Sequence, residues 1–103
     1  MFDKFKKVKD VPIKEQKKVV WTRYSNKDIS KESKTVFNGA GMDCQGYIRA
    51  QAIEANDKLK DLESENITVR VYKAMPQLTW VRIELLHAEA DKVEYYSSTY
   101  EIL

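Results

Sequence analysis

Ile67-Thr68-Val69-Arg70-Val71-Tyr72 and, beyond a proline-bearing interval, Thr79-Trp80-Val81-Arg82-Ile83-Glu84-Leu85 are the segments that decide how this chain folds. Side chains along a strand point alternately to opposite faces. One alternating set, Ile67/Val69/Val71 with Thr79/Val81/Ile83/Leu85, is almost purely aliphatic, whereas the other carries Arg70, Tyr72, Trp80, Arg82 and Glu84. Two strands that bury one face and show the other are therefore predicted. Opposed residues in an antiparallel pair have a constant position sum, and both aliphatic sets are odd-numbered, so that sum must be even. A two-residue turn at Pro76-Gln77 would instead set Val69 against Glu84 and Val71 against Arg82, placing charge in the core. The connection around Pro76 should thus contain an odd number of residues.

Elements on either side follow from the same patterns. Downstream, Lys92 to Tyr100 reads as a further strand after the loop Ala88–Asp91, with Val93/Tyr95/Ser97/Thr99 expected on the buried face and Tyr96 and Tyr100 on the open one. Upstream, Ile48, Ala52, Ala55, Leu59 and Leu62 recur at helical spacing, with Asp43 as the expected N-cap and an end near Ser64. Two alanines in mid-stripe would let this helix lie close to a sheet. Lys18–Tyr24 is rich in β-branched and aromatic residues and predicts a first strand. Residues 25–33 read as a polar loop, 34–37 as a short second strand, and Asn38-Gly39-Ala40-Gly41 as a turn. The expected fold is α+β: a mainly antiparallel sheet of four to five strands with one principal helix packed on one face.

Composition narrows the class. A chain of 103 residues with 43% hydrophobic and 11% aromatic content can build one core of its own. Residues 1–16 are expected to form a basic N-terminal arm, flexible unless its aromatics dock, and residues 17–103 a single α+β domain. A lone Cys44 excludes an internal disulfide framework. Met1–Lys7 has charges where a secretory leader would be apolar, and no apolar stretch approaches the roughly 20 residues of a bilayer span. A soluble cytoplasmic protein with no membrane partner is expected. The net charge of +2 hides a split: residues 1–35 hold eleven Lys or Arg against five Asp or Glu, and residues 36–103 hold seven against eleven. Such asymmetry suits contact with phosphate or an acidic partner, although a lysine-rich segment is more often simply solvated.

Catalytic patterns fail on inspection. Gly39–Gly46 precedes a helix, but Tyr47 and Ile48 follow where a phosphate loop needs Lys and Ser or Thr. Cys44 near a helix N-terminus could be activated, yet His87 is the only histidine and no spacing brings the two together. One His and one Cys do not make a conventional zinc site. Glu63, Glu65, Glu89 and Asp91 read as surface charge. We therefore expect no enzyme, no cofactor and no metal.

The remaining signal is the aromatic and arginine set Arg70, Tyr72, Trp80, Arg82, Tyr96 and Tyr100. Flat rings and guanidinium groups recur at protein interface anchors and on single-strand nucleic-acid platforms. The leading expectation is a small binding or regulatory protein, adaptor- or inhibitor-like, that docks a macromolecular partner, foremost a protein, through this face. The alternatives are nucleic-acid binding with the lysine-rich first third, pairing of the face in a homodimer, and sequestration of a small molecule at an oligomer interface.

Overall fold

A computed structural model describes residues 16–103, the side chains of residues 29 and 30 excepted. The expected arm lies outside the described residues apart from Gln16. Among the described residues, five strands and one helix follow one another as β1 (Gln16–Ser25), β2 (Asp28–Ala40), α1 (Gly41–Lys58, prolonged by a 3₁₀ turn over Leu59–Leu62), β3 (Ile67–Lys73), β4 (Trp80–Glu89) and β5 (Lys92–Ile102). All strand pairs are antiparallel, in the order β2-β1-β5-β4-β3. The fold is thus a small α+β sheet with one helix on one face.

Parity is kept in the β3–β4 hairpin. Val69 faces Leu85 and Val71 faces Ile83, so the aliphatic sets share a side, and the loop closes over residues 75–79 inside a bond from the Ala74 N–H to the Trp80 carbonyl. Leu78 in this loop is a core residue. It is 4% exposed and packs with Val19, Cys44, Ile48, Ala52 and Val81, and its φ of 50° lies in the left-handed region that branched side chains avoid. Burial of the isobutyl group offsets that backbone cost.

The expected face of β5 is corrected. Glu89 pairs with Lys92, leaving a two-residue connection, so the numbering parity flips between β4 and β5. Ile83 therefore faces Ser98, Leu85 faces Tyr96 and Val81 faces Tyr100. Tyr96, Tyr100 and Ile102 lie on the helix side, and Val93, Tyr95, Ser97 and Thr99 on the open side.

Upstream boundaries also differ from expectation. β2 starts at Asp28 and runs through Asn38, Gly39 and Ala40, which pair with Lys18, Lys17 and Gln16 rather than turning. Its polar run Lys31–Thr35 is exposed on the sheet's edge, where no hydrophobic alternation is needed. Ser25 pairs with Asp28 across a tight Asn26-Lys27 connection. Asn26 then mimics backbone: its amide donates to the Val93 carbonyl at 3.0 Å and its Oδ1 accepts from the Tyr95 N–H at 2.8 Å. α1 begins at Gly41 with Ala40 as N-cap, so Asp43 sits inside the first turn, where its charge complements the helix dipole. Cys44, Ile48, Ala52 and Ala55 are buried, while Leu62 is 49% exposed and does not extend the stripe.

At the corner where the β1–β2 turn meets the β4–β5 hairpin, Glu94 accepts from Lys27 Nζ at 2.8 Å and stands 3.2 Å from His87 Nδ1. His87 Nε2 lies 3.1 Å from Glu89. The Lys27 hydrogen bond, then that of His87, holds the Glu94 carboxyl below the usual glutamate range.

Two outcomes follow from this packing. Leu78→Ala should lower the unfolding free energy by about 2–4 kcal/mol, read by chemical denaturation. Because Glu94 is depressed in the folded state, its contribution is present above the ordinary glutamate range and fades as pH falls through its folded value. The melting temperature gap between the wild type and Glu94→Gln should therefore narrow as pH drops from about 7 to about 3. A constant gap would contradict the Lys27–Glu94 assignment.

Candidate functional site

The sheet face opposite α1 takes one residue in two from each of β1, β5, β4 and β3, and Lys31 and Ser33 from β2. Val20, Thr22 and Tyr24 come from β1, Tyr95, Ser97 and Thr99 from β5, Trp80, Arg82 and Glu84 from β4, and Thr68, Arg70 and Tyr72 from β3. No helix among the described residues covers it. Four of the six expected residues, Arg70, Tyr72, Trp80 and Arg82, meet here. Tyr96 and Tyr100 do not, because the β4–β5 parity sends them to the other side. Tyr100 packs against the core with its ring 6.3 Å from that of Tyr47, and burial pushes its hydroxyl pKa up. Tyr96 is 38% exposed beyond the end of the helix.

Tyr24 and Tyr95 stand on the open face instead. Their ring centroids stand 6.0 Å apart at 55°, and Lys31 Nζ reaches to 5.9 Å from the Tyr24 ring. Arg82 lies between this pair and Trp80: its Cζ is 5.5 Å from the Trp80 ring, and its Nε donates to Thr99 Oγ1 at 3.3 Å. A guanidinium stacked on an indole is oriented but keeps donors free for a ligand. Together Tyr24, Tyr95, Lys31, Arg82, Thr22 and Thr99 rim a shallow open depression of about 480 Å³.

A second depression, of about 200 Å³, opens across Tyr95 between Arg70, Glu84 and Leu86. The Tyr95 hydroxyl donates to Glu84 Oε2 at 2.5 Å. Burial, and then that hydrogen bond, pushes the Tyr95 hydroxyl up, so it stays a neutral donor. Glu84, directly across the ladder from Arg70, accepts from Tyr95 and offsets part of the positive charge of Arg70 and Arg82. At the rim, the Tyr72 hydroxyl holds the exposed Arg70 guanidinium still more firmly in its charged form.

The arrangement offers oriented cations, ring faces and hydroxyls on a hydrogen-bonded ladder. Sequence reasoning missed Tyr24, Tyr95, Lys31, Thr22, Ser97 and Thr99. The signal for Tyr24 was the Val20/Thr22/Tyr24 alternation. For β5 it was the connection length after Glu89, which fixes parity once that turn is known to be two residues.

Other candidates lie elsewhere. Cys44 is fully buried against β2, its thiol 3.7 Å from the Gly39 carbonyl, and burial first, then Asp43, pushes its pKa up. His87 is engaged with Glu89 and Glu94 on a different corner. Gly39–Gly46 is a strand passing straight into a helix, not a cradle; a side chain at Gly39 would come within 3.1 Å of the Phe37 ring. Among the described residues no group of three His, Cys, Asp or Glu could hold a metal ion, and no helix is long and apolar enough to cross a membrane. Comparison with protein-family models, with curated proteins and with solved structures finds no match.

A thiol that is both buried and raised in pKa should react slowly. Iodoacetamide at neutral pH should leave Cys44 unmodified in the native protein and alkylate it fully in denaturant, as read by intact mass. Rapid native labelling would contradict the buried placement.

Proposed function

We propose that this protein is a small non-enzymatic binding module, regulatory or inhibitory in effect, that docks a macromolecular partner on its open sheet face. The reading rests on one observation: Trp80, Arg82, Tyr24, Tyr95 and Lys31 stand together on a face that no described element covers. Aromatic and arginine side chains concentrate interface energy because they carry large contact area with few rotors to freeze. The ladder beneath them is hydrogen-bonded on both sides at β1, β5 and β4, so the face is pre-organised. A protein partner presenting carboxylates around an apolar anchor fits this chemistry best, since Lys31, Arg70 and Arg82 outnumber Glu84 and Glu101 on this face.

A second reading has its own support. Tyr24 and Tyr95 beside Lys31 and Arg82 could stack bases and neutralise phosphates, as single-strand binders do. Such binding would weaken steeply with added salt.

Trp80→Ala should weaken partner binding by about 2 kcal/mol or more while the melting temperature changes little. The partner recovered by affinity capture from the native source would be titrated calorimetrically against both proteins. Unchanged affinity in a folded variant would overturn the reading. A gel shift of single-stranded oligonucleotides at low but not moderate salt would favour nucleic acid instead.

A further inference from the structure

The two edges of the sheet are finished differently. On β3, the Val69 N–H points outward and donates to Glu63 Oε2 at 3.3 Å, and the Val69 carbonyl accepts from Lys60 Nζ at 2.8 Å. Both side chains come from the 3₁₀ turn and its exit, and Ser64 N–H takes the Ile67 carbonyl. Over Ile67–Val69 the outward backbone groups are thus already bonded, which hinders pairing with another strand there.

β2 has no such cover among the described residues. In an antiparallel ladder the residues of a central strand bond alternately to its two neighbours. Lys18 exchanges both bonds with Leu103, and Asn26 N–H donates to the Tyr95 carbonyl, so the even residues of β1 address β5. Its odd residues, Trp21 and Arg23, therefore bond to their partners on β2, Lys34 and Glu32. It follows that Ser33, with Lys31 and Thr35 on either side, turns its N–H and carbonyl outward. Between the bulges at either end, the register Val20↔Thr35 to Arg23↔Glu32 is unbroken, and residues 31–35 are all exposed.

We propose that this edge pairs with the same edge of a second copy about a two-fold axis through Ser33, giving one continuous sheet. Under that symmetry Ser33 meets Ser33 and exchanges both backbone bonds, and Lys31 does the same with Thr35. Glu32 then stands opposite Lys34, and Lys34 opposite Glu32, in the narrow non-hydrogen-bonded pairs where side chains approach most closely. Lysines and bulges often blunt a free edge. Here the pattern is self-complementary: the lysine that would repel a generic strand meets a carboxylate on its own copy. Neither side chain is committed elsewhere by a strong contact. Glu32 reaches Arg23 at 3.5 Å with both side chains over half exposed, and Lys34 rests over the Trp21 ring at 5.3 Å. Because the axis is perpendicular to the sheet, the two open faces would lie on the same side and form a bivalent platform.

Light scattering on the full chain should give twice the 12.1 kDa chain mass at about 100 µM. Ser33→Pro removes the central outward N–H without touching the β1 ladder and should yield a monomer with an unchanged circular dichroism spectrum. At low salt, Glu32→Lys and Lys34→Glu should each weaken the dimer about tenfold or more, and the combined exchange should restore it. These charge variants decide the matter if Ser33→Pro fails to fold. A monomeric wild type, a dimer indifferent to both kinds of variant, or a charge exchange that fails to restore pairing would each overturn the proposal.

Discussion

The contact between the Cys44–Ile48–Ala52 stripe of α1 and Val19, Leu78 and Val81 of the sheet fixes which side is the interior. Small side chains at Cys44 and Ala52 let the helix backbone approach, so Ile48 and Val81 become fully buried. Each such side chain contributes about 1.5–3 kcal/mol on leaving water. The ion pairs Arg23–Glu32 and Lys58–Glu54 are more than half exposed and contribute about 0–1 kcal/mol each. Apolar burial therefore decides the orientation of every strand, and the charges decorate what remains.

One helix cannot cover five strands. α1 crosses from the end of β2 toward β3, and no other described element covers the face opposite it. The sheet supports that open face from below through register alone, with Tyr95 held by Glu84 and Arg82 held by Thr99 and Trp80. These are hydrogen bonds and ring contacts between neighbouring strands, so the face keeps its shape without a second layer.

Much of this was legible in the residues. The β3–β4 hairpin, its parity, the helix stripe through Ala55 and the grouping of Arg70, Tyr72, Trp80 and Arg82 all follow from alternation and helical spacing. The β5 face did not, because hydrophobicity barely distinguishes Val93/Tyr95 from Tyr96/Tyr100, and turn length, not composition, chose between them. β2 was hidden for a related reason: an edge strand with one neighbour carries Lys31, Glu32 and Lys34 without alternation. Leu78 escaped because a leucine at φ 50° in a proline-bearing loop is set by the cavity it fills. Of the six residues expected to share one face, Arg70, Tyr72, Trp80 and Arg82 do so, and Tyr96 and Tyr100 lie on the other.

Among the described residues, β5 is the strand that links the two halves of the sheet. The β1–β2 hairpin bonds to it on one flank and the β3–β4 hairpin on the other. During synthesis both hairpins and α1 leave the ribosome before the strand that belongs between them. Until Lys92–Ile102 has emerged, β1 and β4 each present a bare flank to their surroundings, with Val19 and Val81 lacking part of their cover. The sheet is therefore closed only by the strand that follows both hairpins, and shielding of the nascent chain matters most just before β5 emerges.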